Sequence, residues 1–188
     1  MPPHSDLLTN QFLIAMPGMQ DPNFHRTLTL LCEHSAKGAM GIVVNRPAEL
    51  VLGDILDQLS YNTGSEILYR LPVYQGGPMQ PERGFVIHND ASVWDSTLAV
   101  SAQISVTTSR DILEAIAKGE GPSQFLMALG YAGWGPGQLE HELIENVWLN
   151  GPVNEEILFR APADQRLSLA ASQLGIDFNL ISVEAGHA

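Results

Sequence analysis

The stretch "SQFLMALGYAGWGPGQLEHEL", residues 123–143, passes from an apolar run through a glycine-rich segment into a run of acids. Residues 123–130 read as a buried strand, because an unbroken apolar run bounded by turn residues fits a strand covered on both faces. Four glycines then surround Trp134, and Pro136 with Gly137 suit a tight turn. A helix is expected from about Gln138. How such strand, turn and helix units recur along the chain separates a doubly wound sheet from a mixed one.

They do not recur in strict alternation. "QFLIAMPG" (11–18), "RTLTLLCEH" (26–34) and "GIVVNRP" (41–47) are successive strand signals closed by Gly, Pro or Asn. "LVLGDILDQL" (50–59) sets Leu52, Ile55, Leu56 and Leu59 on one helical face, with Gly53 as a tolerated weak point. "PVYQGG" (72–77), "GFVIH" (84–88) and the long "TLAVSAQISVTTS" (97–109) read as further strands. Thr108 with Asp111 fits a capping box and Gly119 supplies a stop, which predicts a helix over 110–118. "ADQRLSLAASQLG" (163–175) is a last helix ended by Gly175. Strands in runs with helices inserted predict an α+β domain with a mixed sheet. No linker, repeat or charge block divides the chain, so residues 1–188 form a single domain, with a short flexible amino terminus at about 1–8 and a tail at about 185–188.

At 188 residues the chain buries roughly 70% of its unfolded surface, enough for a core without staples. Its one cysteine, Cys32, rules out an internal disulfide and multi-cysteine zinc patterns. The first basic residue is Arg26, unlike a secretory leader, and no apolar run approaches the ~20 residues needed to cross a bilayer. A cytoplasmic location is expected. Nine Lys and Arg against 21 Asp and Glu give a net charge of −12, which disfavours direct nucleic-acid binding and anionic membrane surfaces.

The candidate chemistry is sparse. "HELIE", His141 to Glu145, resembles half of a zinc-protease motif but has glutamate where the second histidine belongs. On a helical wheel set to zero at Leu139, the apolar arc through Leu143, Val147 and Ile144 runs to about 140°. His141, Glu145 and Glu142 fall outside it, as solvated surface, whereas Glu140 at about 100° falls inside. Glu140 is therefore expected to point inward and to need a partner, as a structural ion pair or cap or else as a catalytic acid or base. The glycines of 130–137 match neither a P-loop nor a dinucleotide fingerprint, and Gly76–Gly77 read as a turn before a ligand cradle. His88 is a lone histidine more often structural than catalytic. Cys32 and His34, two apart in a strand, share a face, which suits either a nucleophile with its base or a core thiol. No metal site and no cofactor are expected.

Three blocks, "FLIAMPGMQDPNFHRTLTLLCEHSAKGAMGIVVNRP" (12–47), "VYQGGPMQPERGFVIH" (73–88) and "GYAGWGPGQLEHEL" (130–143), occur in an order and spacing that closely resembles the AlgH family, also called YqgE-like proteins. The resemblance implies a single α+β domain whose bifurcated mixed sheet forms a pseudo-barrel with helices packed outside. It brings no settled activity: members carry a label as bacterial transcriptional regulators. Carried over, the pattern marks Asn45, Arg46, Gly76, Gly77, Arg83, Trp134, Gln138 and Glu140 as the functional cluster, with Arg46, Arg83 and Glu140 expected to meet beside Gly76 and Gly77. The function this implies is indirect regulation through a protein or small-molecule partner. The alternative is an enzyme using the arginines, Glu140 and the glycine turns.

Overall fold

The computed structural model describes residues 8–89 and 94–178. The expected flexible ends lie outside the described residues, except Leu8, which packs against a buried cluster. The chain runs β1 (Gln11–Ala15), β2 (Leu28–Ser35), β3 (Gly38–Val43), β4 (Pro47–Val51), α1 (Leu52–Gln58), α2 (Glu66–Tyr69), β5 (Pro72–Gln75) and β6 (Met79–His88). It continues through β7 (Thr97–Ala99), β8 (Ser105–Thr107), α3 (Arg110–Ala117), β9 (Phe125–Trp134), α4 (Gln138–Ile144), β10 (Trp148–Pro152), a π turn (Glu156–Arg160) and α5 (Ala163–Ser172).

One curled sheet carries the fold, in the order β10-β1-β2-β3-β9-β6-β8-β7, and it splits at β9. The first half of β9 lies between β6, antiparallel, and β5, parallel, while Ala132 and Trp134 in its second half pair with β3. The parallel pair makes the sheet mixed, and β4 hangs from β5. Gly76 sits at the split: its N–H donates to the Leu129 carbonyl at 2.7 Å and its carbonyl accepts from Val43 N–H at 2.8 Å. Two neighbours there need glycine. Gly77 (φ +154°) lies so close to β9 that a Cβ would overlap the Tyr131 backbone, and Gly130 (φ +80°) faces the Gly77 carbonyl just as tightly.

Burial explains the unbroken apolar runs. Strand side chains alternate faces, and here both faces are covered. Phe12 and Ile14 join one core with Leu28, Leu30 and Ile42, beneath the π turn and α5, while Leu13 and Ala15 join a second with Trp134, Leu139 and Trp148. A third core, around Leu52, Leu56, Ile112 and Met127, seats α1 and α3.

Several expectations need correcting. The strand expected over 123–130 runs on through "GYAGW" to Trp134, and the turn is confined to residues 135–137. Residues 97–109 form two short strands, because Ser101 Oγ accepts the amides of Gln103 and Ile104 and turns the chain. The expected strand 41–47 ends at Val43, and Pro47 opens β4. The helix at 50–59 keeps only seven residues, and Gly53 in it is more than tolerated, since the Tyr69 ring lies where its side chain would be.

Candidate functional site

Helix α4 buries Leu139 fully and Leu143 partly, yet Ile144 is 78% exposed. The buried arc thus continues from Leu139 toward Glu142 rather than toward Glu140, which reverses the expected roles of the two acids. Glu142 is half-buried: its Oε1 accepts both indole N–H groups, from Trp134 at 3.0 Å and Trp148 at 2.9 Å, and its Oε2 accepts from Gln138 Nε2 at 3.0 Å. Gln138 Oε1 in turn accepts Gly135 N–H at 2.9 Å, which fixes the entry to the helix. His141 and Glu145 are exposed and pair with each other at 3.1 Å.

Glu140 does not point inward; its side chain is 47% exposed. Its partner is His34 of β2, 4% exposed, with Nε2 2.7 Å from Oε1. Among the described residues neither Arg46 nor Arg83 pairs with it, so the expected cluster of two arginines and Glu140 does not form. The physical reason lies in what each arginine already holds. Arg46 Nη1 donates to the carbonyls of Pro22 and Asn23 at 3.0 and 2.9 Å, and Nη2 to that of His25 at 2.8 Å. Arg83 lies over the Phe85 ring, 5.4 Å from its centroid, with a long contact to Gln80.

Asn45 works beside Arg46. Its Oδ1 accepts Leu28 N–H at 2.8 Å and its Nδ2 donates to the Arg26 carbonyl at 3.0 Å, so the two side chains clamp the loop 21–27 by its backbone. The clamped loop places the Phe24 ring 6.2 Å from that of Trp134 and 5.5 Å from that of Trp148. Of the eight marked residues, Asn45, Arg46, Trp134 and Gln138 are therefore linked through Phe24 and Glu142, Gly76 and Gly77 belong to the sheet split, Glu140 pairs with His34, and Arg83 stands apart. Phe24, Glu142 and Trp148 are what the sequence reading passed over as site residues. The signal for Glu142 was its i,i+4 spacing from Gln138 and its nearness to two tryptophans.

Cys32 and His34 are both buried on β2, but the Sγ donates to the Leu30 carbonyl at 3.6 Å and not to the imidazole. Burial, with a smaller contribution from Glu33, pushes the thiol's pKa well up, so it stays protonated. His34 Nδ1 is sealed without a partner and Nε2 faces Glu140, which makes the pair a tie between β2 and α4. His88 is fully buried, with Nε2 2.8 Å from Thr107 Oγ1.

Beside this tie the surface opens. A cleft of about 760 Å³ is lined by Glu33, His34, Lys37, Leu98 and Trp134, among others. A second of about 520 Å³, lined by Arg83, Phe85 and Tyr131, shares Glu33, Met40 and Leu98 with the first. The two therefore adjoin, each within the size range of ligand sites. Leu98 belongs to β7, the last strand of the sheet order.

A split, curled mixed sheet whose polar motifs pin loops and helix ends defines the class: an α+β domain with an open cleft at the end of its sheet. The AlgH-like family model matches residues 12–179, and the chain belongs to that family. It is 52% identical over 183 residues to a UPF0301 protein of Methylococcus capsulatus, covering 97% of each chain. It is 54% identical over 182 residues to one of Pseudomonas entomophila, covering 96% of each. The solution structure of the AlgH protein from Pseudomonas aeruginosa superposes with a TM-score of 0.79 at 47% identity, over 96% of both chains. A Corynebacterium diphtheriae protein shares the fold at 20% identity, with a TM-score of 0.66 over 85% of this chain and 83% of that one.

Proposed function

We propose that the chain is a transcriptional regulator that acts in the cytoplasm through a protein partner, an extended segment of which seats in the adjoining clefts beside β7. One observation carries the reading: an apolar floor, with Met40, Leu98, Phe85 and Tyr131, lies against the end strand of a sheet and is bordered by Glu33, Lys37 and Arg83. An apolar centre with a charged border is the usual anatomy of a protein-binding surface, and a terminal strand offers backbone groups to an added one. The net charge of −12 opposes a direct grip on DNA. A small-molecule partner in the same clefts is the second reading, favoured by their volume. The enzymatic alternative draws less support, because the protonated Cys32 and the occupied, sealed His34 are the cleft's natural nucleophile and base. Among the described residues no helix is long and apolar enough to cross a membrane.

The test is complementation in a bacterium lacking its own copy. The wild-type chain is expected to restore the altered transcript levels, and Leu98→Glu to fail while melting within a few degrees of wild type. Full restoration by Leu98→Glu, or steeply salt-dependent, sequence-specific DNA binding by the purified chain, contradicts the proposal.

A further inference from the structure

Arg166, in the first turn of α5, is 3% exposed. A guanidinium remains charged at any physiological pH, and a buried charge normally requires an opposite one. Here it has none: among the described residues no carboxylate pairs with it, in a chain that carries 21 acids. Its Nε donates to the Ala161 carbonyl at 3.0 Å, its Nη1 to the Val44 carbonyl at 2.5 Å, and the group lies 4.9 Å from the centroid of the Tyr74 ring. Nη2 makes no hydrogen bond among the described residues, and Arg166 lines an adjacent space.

That space is a cavity of about 230 Å³, remote from the clefts at β7 in its lining residues. Its walls are apolar, chiefly Leu71, Phe125, Met127 and Phe159, and its second cation is Arg160. Arg160 is 63% exposed and among the described residues pairs with Glu156 alone, at 3.1 Å, a surface pair of little strength. The π turn Glu156–Arg160 brings Phe159 and Arg160 together onto this wall, and such widened turns recur at functional sites.

We propose that this cavity binds a small organic monocarboxylate, with its head on Arg166 and its apolar body among Phe125, Phe159 and Leu71. One buried positive charge is neutralised by one negative charge, and the planar fork of arginine matches a carboxylate. The apolar walls require an apolar body, and at ~30 Å³ per water the volume is that of seven or eight waters, the size of a single ring with its carboxyl group. A bare anion leaves those walls unfilled, and a neutral ring leaves the guanidinium unpaired.

The test titrates the full-length, 15N-labelled chain with benzoate and, separately, with its neutral counterpart benzamide. Benzoate is expected to shift the amides of residues 71–74, 125–127 and 158–166, with benzamide at least ~10-fold weaker, since a hydrogen bond to a charged group contributes about 1.5–3 kcal/mol. Arg166→Met is expected to abolish the shifts and Arg160→Glu to weaken binding several-fold. If Arg166→Met does not fold, Arg160→Glu and benzamide decide the matter alone. Equal binding of benzoate and benzamide, no localised shift at about 20 mM benzoate, or a benzoate affinity unchanged in Arg160→Glu overturns the proposal.

Discussion

Gly77→Ala is expected to lose more than about 4 kcal/mol of unfolding free energy, a large share of the 5–15 kcal/mol typical of a domain. Two causes act together. The residue sits at φ +154°, a backbone state that a side chain strains, and its new Cβ would enter the Tyr131 peptide of β9 rather than a movable side chain. Relief requires β5 and β9 to part where the sheet splits, and the parallel pairing of Val73, Tyr74 and Gln75 with β9 goes with them. Gly18 provides the control, since nothing lies within 4 Å of a Cβ there and Gly18→Ala is expected within about 0.5 kcal/mol of wild type. Urea unfolding followed by tryptophan fluorescence checks both. A Gly77→Ala protein as stable as Gly18→Ala would mean that the glycine pair serves some purpose other than strand approach.

Glu142→Ala is expected to cost about 2–5 kcal/mol, because the indole N–H groups of Trp134 and Trp148 both lose their acceptor and each orphaned buried donor costs about 1–3 kcal/mol. For a chain of this length that lowers the melting temperature by roughly 5–15 °C. Glu142→Gln separates the contributions. It keeps Oε1 for the two indoles and turns a second amide against Gln138, so the loss falls to about 1 kcal/mol. Glu140→Ala is the comparison that matters, because its carboxylate is half exposed and serves one histidine; its cost is expected to stay near 1 kcal/mol. Thermal melts of the three variants give the ranking directly. A larger loss from Glu140 than from Glu142 would restore the inward-facing reading of the helical wheel.

Much of this architecture was legible because the strands are covered on both faces. "FLIA" and "LTLLC" announce strands without alternation, and the structure divides their side chains between separate cores. The α+β class followed from the order of elements, whereas the split at β9 entered only through the family resemblance. β10 stayed hidden because "WLNGP" carries Asn, Gly and Pro, which signal turns, and it is a strand only through its pairing with β1. β4 and α2 are short and owe their form to tertiary contacts, as local preference yields to packing in brief segments.

The candidate site was legible as residues and not as an arrangement. Arg46 was singled out, but a sequence does not disclose that its partners are backbone carbonyls of a loop some 20 residues earlier. The wheel for α4 failed for a specific reason. A helix of seven residues contacts its support over a short length, so one hydrophobic residue that happens to be exposed, Ile144, stretches the apparent apolar arc from about 80° to about 140° and takes in Glu140 at about 100°. The clefts at β7 could not be read at all, because they exist only where β2, β3 and β9 meet a strand that the sequence had merged with its neighbour.

The central claim is that the motif side chains other than Arg83 build the scaffold while recognition occurs at the clefts. Site-specific photo-crosslinking in living cells tests it most directly, with p-benzoylphenylalanine placed at Leu98 in one strain and at Ile67, an 80% exposed apolar residue on α2, in another. The account predicts a discrete crosslinked protein from position 98 that is missing from position 67, and its loss when Lys37 and Arg83 are both changed to Glu. Identical crosslinks from both positions, or none from position 98, would contradict it.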